Sequence, residues 1–226
     1  MNVDLVGTEH TELRIFRREA PVRVLGPGAR AVVWVQGCSF RCKNCIVPES
    51  WNPTGGEVIP VPALADWVLA QPDIEGLTLS GGEPMEQAEP LCRLVDLVRS
   101  RADVGIVCFT GYTLEHLRHR ASPDQIALLD RVDLLVDGTY VERRHADLLW
   151  RGSSNQRLLP LTPRYRTLLE SVGPEEDRSA GIEVVLDAVG ALAFSGVPKQ
   201  PGFRAEFERR LMGHGVLLRP EKDADG

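Results

Sequence analysis

The amino-acid sequence predicts an α/β fold made of parallel β/α units. Strand, loop and helix patterns alternate about four times along the chain, which is typical of such units and not of a sandwich or a helical bundle. Residues 31–35 form a continuous apolar run of β-type side chains, as expected for a strand buried on both faces. Polar motifs directly follow several strands, at the edge where parallel sheets and barrels bind ligands.

The individual elements follow from the spacing of apolar residues and from Gly and Pro turn signals. Predicted strands cover residues 13–16, 22–25, 31–35, 77–79, 105–109 and 132–136. Predicted helices cover residues 62–70, 90–101, 114–120 and 122–129. In the second of these helices, apolar residues recur at helical spacing at Leu91, Leu94, Val95 and Val98.

We expect a single domain over residues 1–226, with N-terminal strands in residues 11–25 and a core of about residues 22–165. The periodicity weakens beyond residue 165, where we expect a hairpin and a last helix as an extension over residues 182–220. The final polar residues, 221–226, are expected to form a disordered tail.

Composition excludes several classes of protein. The formal net charge is −6, whereas a dedicated nucleic-acid-binding protein is usually basic. No apolar run approaches the roughly 18 residues of a membrane span, and the first residues are polar and acidic, unlike a secretory signal. We therefore expect a cytoplasmic protein with reduced thiols and neither a nucleic-acid nor a membrane partner.

Three of the five cysteines lie within eight residues, with the spacing C-x3-C-x2-C at Cys38, Cys42 and Cys45. An odd count with a tight triplet is a poor disulfide framework and favours a metal or catalytic site. Three thiolates on one loop can hold three corners of a cubane iron–sulfur cluster and leave one iron open to a small molecule. The alternatives are a zinc loop completed by a distant residue and three packed core thiols.

Two segments resemble the motifs of a known superfamily. GCSFRCKNC (37–45) resembles the signature of radical S-adenosylmethionine (radical SAM) enzymes, and LSGGEP (79–84) resembles their second motif. The resemblance implies a [4Fe-4S] cluster held by the three cysteines, with SAM chelating the open iron. It also implies an incomplete, TIM-like parallel β/α barrel of about six units with an open lateral side. Asn44 departs from the superfamily pattern, because an aromatic residue often precedes the third cysteine.

The same resemblance assigns residues to SAM. Gly81 and Gly82 would let the backbone approach the methionyl group, and Glu83 would accept hydrogen bonds from its ammonium. The alternative is an ordinary Gly-Gly turn, with Glu83 capping a helix that starts at Pro84. The residues expected to contact SAM are Asn44, Ile46, Ser80, Gly81, Gly82, Glu83, Asp137, Ser153 and Asn155.

Segments 109–113 (FTGYT) and 132–157 resemble the small activating enzymes of glycyl-radical proteins. This resemblance implies a glycyl-radical enzyme as partner and an electron donor such as flavodoxin or ferredoxin. Asp137, Ser153 and Asn155 would lie near the polar parts of SAM, although turns and a helix cap explain the same residues. Arg151 would hold an anionic substrate or dock an acidic partner.

Three functions fit these patterns. The first is an oxidoreductase that cleaves SAM reductively and uses the 5′-deoxyadenosyl radical to take a hydrogen atom from a glycine of its partner. The second keeps the cofactors but acts as an epimerase or dehydrogenase on a small molecule such as a sugar. In that case Cys108, otherwise a core residue, could return a hydrogen atom to the substrate radical. The third is a non-enzymatic iron–sulfur or zinc module.

Overall fold

The computed structural model describes residues 11–186 and 192–215, which form a mixed α/β fold with a mostly parallel central sheet. The strands are β1 (Glu12–Val22), β2 (Arg30–Val35), β3 (Glu57–Pro60), β4 (Gly76–Gly81), β5 (Gly105–Phe109), β6 (Leu134–Asp137), β7 (His145–Leu148), β8 (Arg151–Ser153), β9 (Arg157–Pro160), β10 (Gly181–Leu186) and β11 (Leu192–Val197). The α-helices are α1 (Val61–Leu69), α2 (Ala88–Arg99), α3 (Leu114–Arg120), α4 (Pro123–Leu129), α5 (Arg166–Ser171) and α6 (Phe203–Gly213).

The central sheet has seven strands in the order β3-β1-β2-β4-β5-β6-β9. Strands β2, β4, β5 and β6 run parallel, with helices in their connections, as the alternating pattern predicts. Strands β1 and β3 continue the sheet antiparallel on one side, and β9 pairs antiparallel with β6 on the other. The parallel part described here therefore has four strands. Six units are not confirmed, and the barrel shape stays a prediction.

The two faces of the sheet are covered by different parts of the chain. One face carries Val33, Leu79 and Ile106 and packs against the helices in the largest hydrophobic cluster. The other face carries Trp34 and Val107 and is covered by the segment after β1 and by later parts of the chain. Full burial of an aliphatic side chain contributes roughly 1.5–3 kcal/mol. Because the helix-covered face has more buried side chains than the other face, it contributes more to the stability.

The prediction of two N-terminal strands separated by a charged turn is wrong. A single strand, β1, spans this region, and its pairing with β2 shifts register on both sides of its charged residues. Arg17 lies 4.0 Å above the ring of Trp34, so its charged side chain packs on the sheet instead of entering a turn.

The predicted core strands and helices are confirmed to within a few residues, and so is the C-terminal hairpin with its helix. Strands β3, β7, β8 and β9 and helix α5 were not predicted. They are short, and pairing or packing with distant residues decides them. The predicted hairpin turn at 188–190 and the predicted tail at 221–226 lie outside the described residues. None of the described helices is long and apolar enough to cross a membrane.

Candidate active site

The Cys loop, residues 36–47, leaves β2 at the edge of the sheet where the parallel strands end. The Gly37 N–H donates to Ser50 O at 2.7 Å, and the Cys38 N–H donates to Trp51 O at 3.2 Å. These bonds close the loop on the short 3-10 helix that follows it. The three cysteines therefore sit on a loop fixed at both ends.

Asn44 adopts a left-handed backbone conformation, with φ of +57°. Asn tolerates this conformation better than aromatic residues do, which gives a physical reason for its presence before the third cysteine. Its side-chain amide donates to the carboxylate of Glu142, which also pairs with Lys43 at 2.8 Å. The tip of the Cys loop is thereby attached to the segment after β6.

The second motif is bonded directly to the start of the Cys loop. The Gly82 N–H donates to Val35 O at 2.7 Å, and the Glu83 N–H donates to Gly37 O at 2.8 Å. A Cβ on Gly82 would lie 2.1 Å from Gly37 O, and a Cβ on Gly81 would lie 2.6 Å from Val35 N. The protein's own packing therefore requires both glycines, and their expected contact with SAM stays a prediction.

Glu83 is buried and accepts three hydrogen bonds from the protein. Its Oε1 accepts from Met85 N at 2.9 Å and from the Thr110 hydroxyl at 2.7 Å, and its Oε2 accepts from Gly111 N at 2.8 Å. Burial raises the pKa of Glu83 to about 7, although these hydrogen bonds act in the opposite direction. Glu83 caps the 3-10 helix that begins at Pro84, as the structural alternative held, and also ties the second motif to the segment after β5.

An aromatic contact joins the Cys loop to the same segment. The Phe40 ring occupies the space where Gly111 would carry a Cβ, with ring carbons 2.6 Å from that position. Phe40 also meets the ring of Tyr112 edge-on, with centroids 4.9 Å apart. The motifs at 37–45, 79–84 and 109–113 thus form one connected structure.

The three thiols of the Cys loop are half-buried and belong to none of the hydrophobic clusters of the described residues, so they are not packed core thiols. Burial raises the pKa of all three, and hydrogen bonds oppose this rise, at Cys45 from the Val47 backbone first and then from the Trp51 side chain. Across residues 11–186 and 192–215, no group of three or more His, Cys, Asp and Glu is placed to hold a single metal ion. A cubane presents separate iron atoms at its corners, so three thiols on one loop fit it.

Asp137 is buried at the end of β6 and its carboxylate is occupied. It accepts from Leu114 N at 2.8 Å and forms a two-point ion pair with Arg157, whose Nε lies 2.9 Å from Oδ1. Arg157 also holds Glu115 at 2.9 and 2.7 Å, which lowers the pKa of Glu115 to about 2. The structure therefore gives Asp137 a structural role, and its expected contact with SAM stays a prediction.

The segment at 151–157 folds back on the end of β6. The buried hydroxyl of Ser153 accepts from Val141 N at 3.1 Å, and the Asn155 side-chain amide donates to Thr139 O at 2.8 Å. Asn155 Oδ1 is buried and has no hydrogen-bond partner among the described residues, so it keeps an acceptor position for a ligand. Gln156, which sequence reasoning missed, fixes this turn with hydrogen bonds to backbone on both sides.

The structure shows the surroundings of two further expected functional residues, whose roles stay predictions. Arg151 donates to the carboxylate of Asp177, so its charge is already balanced within the chain. Cys108 lies on the helix-covered face of β5, fully buried in the largest cluster, because strand residues alternate between faces. Its neighbour Phe109 faces the opposite way.

A cavity of about 310 Å³ opens beside the Cys loop, on the same side of the sheet as Phe109. It is lined by three Cys-loop residues, by residues of the segment after β6, and by residues from the C-terminal part of the chain. The expected SAM-contacting residues Asn44 and Ile46 line it together with the cysteine between them. This concave site includes the predicted iron ligand Cys45, and it has the size and apolar lining of a ligand pocket.

A family model described as a 4Fe-4S single cluster domain matches residues 24–159, which is more than half of the chain. The chain belongs to this family. The match contains the Cys loop and the other three motif segments, whereas α5, β10, β11 and α6 lie beyond it.

Curated relatives of this 4Fe-4S protein carry a more specific name, anaerobic ribonucleoside-triphosphate reductase-activating protein. The one from Enterobacteria phage T4 is 35% identical over 60% of this chain and 86% of its own length. The one from Vibrio cholerae is 37% identical over 62% of this chain and 94% of its own length. The one from Escherichia coli K12 is 31% identical over 62% of this chain and 95% of its own length. A solved structure, that of QueE from Escherichia coli, aligns over 61% of this chain and 75% of its own at a TM-score of 0.42 and 14% identity.

These relatives confirm the resemblance predicted from the motifs. The chain is an enzyme of the radical SAM activating type, with a [4Fe-4S] cluster and SAM as cofactors. The residues present fit both groups. The Cys loop supplies three half-buried thiols, and Asn155 Oδ1 is an unoccupied buried acceptor among the described residues.

Proposed function

We propose that this chain activates a glycyl-radical enzyme, an anaerobic ribonucleoside-triphosphate reductase, by removing a hydrogen atom from one of its glycines. The observation that carries the proposal is the direct bonding of the motif segments at one edge of the sheet, through Gly82, Glu83 and Phe40. The names of relatives at 31–37% identity support the same partner.

When bound, the cluster and SAM supply one-electron cleavage of the sulfonium to methionine and a 5′-deoxyadenosyl radical, which takes a hydrogen atom from carbon. The residues of the chain hold and orient these groups. Cys38, Cys42 and Cys45 would ligate three irons. Glu83 Oε2 accepts one described hydrogen bond, so it keeps an acceptor position for the ammonium of SAM. A flavodoxin or ferredoxin in the cytoplasm would supply the electron.

An open lateral side belongs to the same proposal. Strands β3 and β9 end the central sheet and do not pair with each other in the described part of the chain, which supports an incomplete barrel. A partner loop needs such an opening, because a glycine inside a large protein must come within contact of the radical.

The small-molecule alternative has no comparable support. Its proposed hydrogen donor, Cys108, lies on the face of β5 that packs against the helices. It is not among the residues that line the cavity beside the Cys loop.

The test is anaerobic activation of an anaerobic ribonucleoside-triphosphate reductase by the cluster-loaded protein with SAM and a reductant. We expect a glycine-centred doublet in the electron paramagnetic resonance spectrum. A partner labelled with α-deuterated glycine should transfer one deuterium to 5′-deoxyadenosine, as measured by mass spectrometry. Formation of 5′-deoxyadenosine with neither a doublet nor deuterium transfer would refute this partner.

A further inference from the structure

The cavity beside the Cys loop has walls from two distant parts of the chain. Asn44, Cys45 and Ile46 form one wall, and Phe109 and Trp150 lie on the side of the sheet. A further wall comes from the C-terminal extension, defined here as β10, β11, α6 and residues 198–202. This extension lies wholly outside the family match, which ends at residue 159.

We propose that the C-terminal extension, which the family match does not include, supplies one wall of the SAM-binding site at its nucleoside end. The inference rests on the proposed function, because it takes Cys45 as an iron ligand. Two residues expected to contact SAM, Asn44 and Ile46, line the cavity. Cys45 itself lines the cavity.

The lining has the chemistry that a nucleoside needs. The aromatic side chains of Phe109, Trp150 and Phe203 line the cavity and can contact the flat faces of a purine base. His145 also lines it. Its Nδ1 lies 3.1 Å from the Tyr140 hydroxyl, and its Nε2 is buried with no hydrogen-bond partner among the described residues. A buried ring nitrogen left open at a cavity is a hydrogen-bonding position for the base edge or a ribose hydroxyl.

The C-terminal extension contacts the Cys loop directly, and this contact fixes the position of the wall relative to the three cysteines. Arg204, at the start of α6, pairs with Glu49 at 2.7 Å and donates to Ile46 O at 3.3 Å. Val197, at the end of β11, packs against the hydrophobic cluster of the sheet that contains Trp34. The wall is therefore attached both to the Cys loop region and to the central sheet.

The test fills the cavity from an exposed position. Ala205 lies on α6, is exposed and lines the cavity, so Ala205→Trp adds an indole there without removing a buried group. The matched control is Met212→Trp on the same helix, 56% exposed and not among the lining residues. We expect Ala205→Trp to weaken SAM binding to the cluster-loaded protein by about tenfold or more in anaerobic calorimetry, and the control to leave it unchanged.

A second variant tests the polar contact. His145→Phe keeps a ring but removes both ring nitrogens, the open Nε2 and the Nδ1 that contacts Tyr140. We expect about fivefold weaker binding of SAM, from the loss of the hydrogen bond between Nε2 and SAM. Binding like that of the unmodified protein in both Ala205→Trp and His145→Phe would overturn the inference and leave the proposed function intact. Failure of the unmodified, cluster-loaded protein to form 5′-deoxyadenosine would instead contradict the proposed function.

Discussion

Helices α2 and α6 are of similar length, but they contribute to the molecule in opposite ways. Six of the twelve residues of α2 are buried against the sheet and its neighbouring helices, whereas none of the eleven residues of α6 is buried. Helix α6 is held by its contacts around the cavity and by ion pairs of Arg204 with Glu49 and Glu208.

The difference separates two kinds of contribution to one active site. The family-matched core fixes the Cys loop through backbone hydrogen bonds and through glycines at which a side chain would collide with the backbone. The extension supplies a surface through contacts that are individually weak, because exposed ion pairs contribute at most about 1 kcal/mol. Changes in the core should therefore affect folding and cluster content, and changes in α6 should affect binding.

The largest expected effect is loss of the cluster from the core. Cys42→Ala leaves two thiols on the Cys loop, and we expect iron content and 5′-deoxyadenosine formation to fall to background. The matched control is Cys92→Ala, a buried cysteine on α2, which should keep its iron. A Cys42→Ala protein that retained four irons per chain would contradict the assignment of the Cys loop.

The next effect compares two glycines. Gly82→Ala would place a Cβ 2.1 Å from Gly37 O, and we expect the free energy of unfolding to fall by about 3 kcal/mol. Gly213→Ala on α6 meets nothing within 4 Å and should change stability by less than about 0.5 kcal/mol. Denaturant unfolding of both variants measures the contrast. Equal losses would show that the core and the extension are equally constrained.

Glu83 should give the core a dependence on pH. Its ordinary pKa is 4.5 and burial raises it to about 7, so the folded protein binds the proton more tightly than the unfolded chain. Stability should therefore fall by up to about 3 kcal/mol as the pH rises from about 4.5 to 7. Glu83→Gln cannot titrate and should lack this slope. Parallel stability curves for the two cluster-free proteins across that range would exclude the raised pKa.

The smallest effect belongs to the attachment of α6. Arg204→Met removes the ion pair with Glu49, in which both side chains are about one-third exposed, and should lower global stability by less than about 1 kcal/mol. Faster amide hydrogen exchange within α6, with exchange in α2 unchanged, should accompany it. A loss of several kcal/mol would mean that the extension is part of the cooperative core.

The sequence predicted those parts of the fold that local periodicity decides. The apolar stripe of α2 and the continuous apolar run of β2 each identify their own element. Strand β9 carries no comparable pattern. It exists because β9 pairs with β6, where Leu159 lies opposite Leu135, and this pairing connects residues far apart in the chain.

The site shows the same division. The spacing of the three cysteines could be read directly, whereas the roles of Gly82 and Glu83 depend on neighbours that only the folded chain brings near. His145 was missed because, although it lies within the segment 132–157, no residue pattern there singles it out. The open nitrogen that marks it is a property of the fold and not of the sequence pattern.

The alternation along β5 has a consequence for the survival of the enzyme during turnover. A sulfhydryl readily gives up its hydrogen atom to a carbon radical, so under the proposed function a thiol facing the cavity beside the Cys loop would compete with the partner's glycine. The pleat places Phe109 at the cavity beside the Cys loop and Cys108 on the helix-covered face of the sheet. A one-residue shift in the register of this strand would exchange the two side chains, and the now buried thiol of Cys108 would face the cavity, where it could react with the radical.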